Sequence, residues 1–211
     1  MNQENFTQKR GFLYHLTDVR NVDAIINDRM IYCTNFIIDN ADGIPIDKKE
    51  TLKSTRRNSH AIIHLNGIEI SIRDQKPLFL KSLSKCLTNN WGPERYITLL
   101  NGRVFFWPTL KRLSAHHNTY MNEHPAILRV RTRDMLDKNP RAELCHLNSG
   151  ATRPVARLGG LASPRGENTF VPIETYDKIV SSVAEVTFPE RCILPDTVWI
   201  SGSPNGPWEL T

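Results

Sequence analysis

Between Phe12 and Leu16 apolar and polar positions alternate, and the next segment, NVDAIIND, sets Val22, Ile25 and Ile26 at helical spacing. This change of period predicts a strand ending near His15 and Thr17 that feeds directly into a helix, with Thr17 or Asp18 placed to cap it. Residues 32–60 are polar, marked by Gly and Pro and weakly periodic, and read as mostly a long connection. Strands are predicted at 68–72, 103–107, 126–132, 142–147, 169–173, 181–188 and 196–202, and helices at 78–87, 92–100 and 110–122. Pro93 suits the first turn of its helix. Residues 148–168, rich in Gly, Pro, Ser and Arg, read as a loop.

Helices fall early in this pattern and strands late, without regular alternation, which argues against a doubly wound parallel sheet. The fold class expected is α+β, with mixed or antiparallel sheets. No repeat or low-complexity tract appears, and only residues 38–60 are long enough to act as a linker, so residues 1–211 read as a single domain. Hydrophobic residues make up 39% of the chain, enough for a buried core, yet no apolar run approaches the roughly 20 residues of a membrane span. The first residues are polar and lack the apolar centre of a signal peptide, so a cytoplasmic protein without membrane contact is expected.

Cys33, Cys86, Cys145 and Cys192 are scattered and form no CxxC pair, which predicts free, mostly buried thiols. His116 and His117 are adjacent, so on a helix their side chains diverge by about 100° and do not chelate together. With His124 and His146 they form no recognisable ligand spacing, and no metal is expected. The net charge of +5 is compatible with a nucleic-acid partner but spread along the chain, with a small cluster at Arg153, Arg157 and Arg165.

Three segments in order, YHLTDVRNVDAII, LNGRVFFWP and SSVAEVTFPERCILPD, resemble the motifs of bacterial ADP-ribosyltransferases of the DarT kind. They are similar also to an uncharacterised bacterial family carrying YHLT, RVFFWP, SGAT and a late AE. The likeness runs from about Tyr14 to Pro195. It implies an ADP-ribosyltransferase-like fold, split sheets with flanking helices around an NAD cleft, and NAD as co-substrate. It implies Glu185 as the catalytic carboxylate with Arg103 beside it. His15, Leu16, Thr17, Asn21, Arg103, Phe105, Phe106 and Trp107 would contact NAD. The arginine precedes the aromatic residues here, whereas DarT-like proteins carry it after them, which leaves Arg112 as the alternative grip on the diphosphate.

The residue types suit that chemistry. Nicotinamide leaves NAD as a neutral molecule and needs no general acid, so one fixed carboxylate can stabilise the oxocarbenium-like transition state. Glu185 lies between small or apolar neighbours on a predicted strand; otherwise it is a surface glutamate on an edge. His15 can donate and accept in fixed geometry to ribose hydroxyls, or it is a core histidine beside a capping threonine. Alternation puts Arg103, Phe105 and Trp107 on one face and Phe106 on the other, so only one side can stack on a flat ring. Asn148, Arg153, Arg157, Arg165 and Asn168 sit on the loop before the Glu185 strand. The resemblance makes that loop the acceptor-recognition segment, and its residue types suit phosphate and base-edge contacts; otherwise it is a solvated loop. The leading expectation is ADP-ribosylation of DNA or RNA, as in a toxin or phage-defence effector with a neutralising antitoxin. The alternatives are NAD hydrolysis or protein modification, an RNA 2′-phosphotransferase-like activity that needs more basic residues around the diphosphate, and a non-catalytic nucleic-acid-binding module.

Overall fold

The computed structural model describes Met1–Thr211. Helix α1 (Gln3–Lys9) drops Phe6 into the core and leads into β1 (Phe12–Asp18), two residues longer than predicted. Asp18, not Thr17, caps the turn that follows: its carboxylate accepts from the Arg20 amide at 3.0 Å and from its guanidinium at 2.7 Å. Helix α2 (Val22–Asp28) then turns Ile25 inward.

The supposed connection over 32–60 is largely structured. Strand β2 (Met30–Tyr32) runs into α3 (Thr34–Asp39), and α4 (Ile46–Ser54) follows. Both helices escape a periodicity reading for physical reasons. A thiol caps α3, with Cys33 Sγ accepting from the Phe36 amide at 3.4 Å, and α4 buries no residue, so it has no apolar stripe. Strands β3 (Ala61–Leu65) and β4 (Ile68–Ile72) form a hairpin. Its two-residue turn, Asn66–Gly67, has φ of +52° and +76°, as a primed turn requires.

Helices α5 (Leu80–Cys86) and α6 (Pro93–Asn101), strand β5 (Arg103–Phe106), helix α7 (Leu110–Tyr120) and strand β6 (Pro125–Arg131) lie close to their predicted places. Helix α8 (Thr132–Lys138), which the pattern did not suggest, follows β6 directly. Strand β7 (Glu143–Cys145) matches, whereas the strand expected at 169–173 shrinks to β8 (Val171–Pro172). The strand expected from 181 starts only at β9 (Glu185–Pro189), because residues 180–182 form a 3₁₀ turn. Strands β10 (Arg191–Ile193), β11 (Val198–Ser201) and β12 (Glu209–Leu210) complete an α+β architecture with eight α-helices. No helix is long and apolar enough to cross a membrane.

The strands form two four-stranded sheets, β1-β6-β11-β12 and β5-β9-β7-β8, with β2-β10 and the β3–β4 hairpin as smaller pairs. All their pairings are antiparallel, and the isolated bridge between Leu87 and Arg165 is parallel. The two large sheets meet where Tyr14 and Trp107 exchange backbone hydrogen bonds of 3.0 and 2.8 Å. Leu13, Phe106, Leu128, Val130, Val186 and Phe188 pack into the main core. Burying each such side chain contributes about 1.5–3 kcal/mol, which fixes β1, β5 and β9 relative to one another. All four cysteines are free and buried.

Candidate functional site

Register brings the three motifs together. Phe106 pairs with Val186, so Glu185, one residue earlier on β9, lies across from Trp107. On the other side of the same β5 end, Trp107 meets Tyr14, the neighbour of His15. His15 and Glu185 therefore flank β5, and both line a cavity of about 380 Å³. Leu16, Thr17, Asn21, Arg103, Phe105, Trp107 and Asn148 reach it too. The β3–β4 hairpin forms the opposite, largely apolar wall through Leu65, Ile68 and Ile70.

Glu185 is 3% exposed. Both carboxylate oxygens accept from one donor, the Ser149 amide, at 3.1 and 3.2 Å. Burial pushes its pKa up to about 7, only partly offset by Ser149 and by the positive charges of Arg165 and Arg112. Ser149 Oγ is buried here without a hydrogen-bond partner. The loop that supplies this amide is held from behind: the Arg165 guanidinium donates to the carbonyls of Asn148, Ser149 and Ala151 at 3.1, 3.3 and 2.6 Å.

His15 Nδ1 lies 2.9 Å from the Phe105 carbonyl. A carbonyl only accepts, so Nδ1 carries the proton and Nε2 keeps its lone pair. Burial first, and then the charge of Arg73, hold the ring's pKa down near 4, so it is neutral at pH 7. His116, also held near pKa 4 by burial and by Arg73, stacks on Trp107 at 4.5 Å.

Other expected residues have different work. Arg103 forms a bidentate pair with Glu143 at 2.7 and 3.2 Å and donates to the Leu99 carbonyl at 3.0 Å. Its guanidinium also stacks on Phe170, so structural contacts take up much of its bonding capacity. Phe106 is fully buried against Phe188 and belongs to the core. Asn21 donates to Thr17 Oγ1 and the Ser71 carbonyl and accepts from the Ser71 amide, so it staples β1 to β4. Arg165 is buried beneath the loop, while Arg153, Arg157 and Asn168 are exposed on its surface, outside the cavity. Arg112, half-buried on α7, does not line the cavity, although its charge reaches Glu185.

Sequence reasoning missed Arg73. It follows β4 and lines the cavity, with one amine on the Thr17 carbonyl and its face over Tyr120 at 4.8 Å. Its Nε and Nη1 are buried with no hydrogen-bond partner. Burial of a guanidinium with open donors is costly unless an acceptor completes it. Only the three-dimensional position of this residue marks it; its place after an alternating strand carries no such signal.

Comparison with curated proteins finds no match, and comparison with solved structures finds none. One family model matches residues 11–195, most of the chain and every element of the site. The chain therefore belongs to DUF7002, a family of unknown function.

Proposed function

We propose that this cavity binds NAD and transfers its ADP-ribose, with nucleic acid as the acceptor. The observation that carries the reading is the convergence of a neutral histidine and a buried carboxylate on one cavity from either side of β5. Its volume, about 380 Å³, falls within the range of small-molecule sites. Glu185 holds the ribose next to nicotinamide and, once ionised, stabilises the positive charge that develops as the glycosidic bond breaks. Such fixed electrostatics contributes about 3–4 kcal/mol. The cationic nicotinamide riboside favours the ionised carboxylate in return. His15 Nε2 accepts from a hydroxyl of the other ribose. Arg73 replaces Arg103 as the diphosphate ligand in this reading, since Arg73 lines the cavity with Nε and Nη1 unpartnered, whereas Arg103 is already paired with Glu143. The net charge of +5, with Arg153 and Arg157 exposed on the loop before β9, supports an anionic acceptor.

The same arginine favours a second reading, an RNA 2′-phosphate as the acceptor, because Arg73 supplies a basic residue that such a reaction needs near the cavity. Incubation with NAD labelled in the adenylate half, against DNA, RNA, 2′-phosphorylated RNA and protein, tests both. Label on unmodified nucleic acid supports the first reading, and phosphate-dependent transfer supports the second. Free ADP-ribose alone reduces the activity to hydrolysis, and intact NAD in every arm overturns the proposal.

A further inference from the structure

Away from Glu185, a second group of polar atoms converges at the edge of the cavity. His60 Nε2, Asp74 Oδ2 and Glu123 Oε2 lie within 4.8 Å of one another. They come from three separate segments: the approach to β3, the end of β4 and the turn after α7. All three atoms are buried and make no hydrogen bond of regular geometry, although ion pairs join them to one another and to Lys76. His60 Nε2 is only 2.8 Å from Glu123 Oε2 and 3.6 Å from Asp74 Oδ2.

Asp74 is prepared for such a role. Its side chain is 1% exposed. Tyr120 Oη and the Lys76 amide both donate to Oδ1, each at 3.1 Å, which fixes the carboxylate and leaves Oδ2 directed at the cluster. Outer donors of this kind orient carboxylates that ligate metals. One imidazole nitrogen and two carboxylate oxygens form a donor set for a divalent ion such as Zn²⁺, with one position left for water. Lys76 Nζ stands 2.9 Å from Asp74 Oδ2 and 2.8 Å from Glu123 Oε1, and acts there as a cation. Its side chain is 49% exposed on a flexible stem, so it can swing into solvent.

We propose that His60, Asp74 and Glu123 form a divalent-cation site at the edge of the cavity, which the Lys76 ammonium closes when no metal is bound. The ion ties the base of the β3–β4 hairpin to the end of α7, next to the cavity that Asp74 lines. This inference stands independently of ADP-ribosyl transfer.

Equilibrium dialysis of the full chain against Zn²⁺, with Mn²⁺ in parallel and bound metal counted by mass spectrometry, tests it. One Zn²⁺ per chain is expected. His60→Gln and Glu123→Gln should each weaken binding at least about tenfold, and Lys76→Gln should bind more tightly because the competing cation is gone. Glu123 is the more exposed carboxylate, so its variant remains informative if loss of His60 unfolds the protein; circular dichroism checks the fold of each. Absence of one-to-one binding in Lys76→Gln overturns the proposal. So does binding that both ligand variants leave undiminished, which assigns the metal to other histidines.

Discussion

Glu185 is costly where it stands. Its folded pKa of about 7 lies above an ordinary value of 4.5, so the folded state holds a proton that the unfolded chain has released. The stability from that proton is complete below about pH 4.5 and lost as pH rises through about 7; a shift of this size corresponds to roughly 3 kcal/mol. Glu185→Gln should therefore melt above the parent at pH 8 while losing at least about a hundredfold in turnover. Thermal melts and NAD consumption measured on the same preparation check the pair; a less stable, fully active variant contradicts both halves. Arg73→Met should raise KM for NAD more than it lowers kcat, as expected for a group that grips a non-reacting part of the substrate. Arg103→Ala should leave NAD affinity unchanged and destabilise the fold by about 1–3 kcal/mol, because it strands the half-buried Glu143 without its partner. Calorimetry with NAD and denaturant titrations separate these two arginines.

Elements with a strong apolar period were legible in the sequence, and those fixed by tertiary contacts were not. Strands β1, β5 and β6 and helices α2 and α6 carry their burial in their spacing. Helix α4 buries nothing and has no readable stripe, whereas α8 does bury Thr132, Met135 and Leu136 at helical spacing, but over seven mostly polar residues that run on directly from β6. The β3–β4 hairpin did carry a local signal, Asn66–Gly67, that pattern alone overlooked. Within the site, His15 and Glu185 were legible as motif residues. Arg73 was not, because unpaired donors are a property of position, and the ion pair of Arg103 could not be read because its partner Glu143 is distant in sequence. The hairpin also yields a test. Gly67→Ala forces a Cβ onto a residue at φ +76° and should cost about 1 kcal/mol of stability. Because Leu65 and Ile68 form a cavity wall, the same change should raise KM for NAD, which steady-state kinetics reads directly.

For the whole molecule, buried ionisable groups set opposing responses to pH. His15 and His116 are held near pKa 4, below their ordinary 6.5, so their contribution is lost as pH falls from about 6.5 to 4. Glu185 acts in the opposite sense over an overlapping window but offsets only about one of the two histidines, so the parent's melting temperature should rise between about pH 4.5 and 6.5 with a shallower slope than the histidines alone would give. In Glu185→Gln the histidine response stands alone, and the melting temperature should climb with pH across that range; a flat profile in the variant contradicts the assignment of buried neutral imidazoles. The same carboxylate should shape catalysis, with kcat/KM for NAD rising through about pH 7 as Glu185 ionises in the free protein. The most direct measurement of the central claim is the fate of adenylate-labelled NAD incubated with the parent and with Glu185→Gln in the presence of DNA and RNA. The account predicts labelled nucleic acid and released nicotinamide from the parent, with both reduced at least about a hundredfold in the variant. NAD that survives intact with the folded parent, or equal transfer by the two proteins, contradicts it.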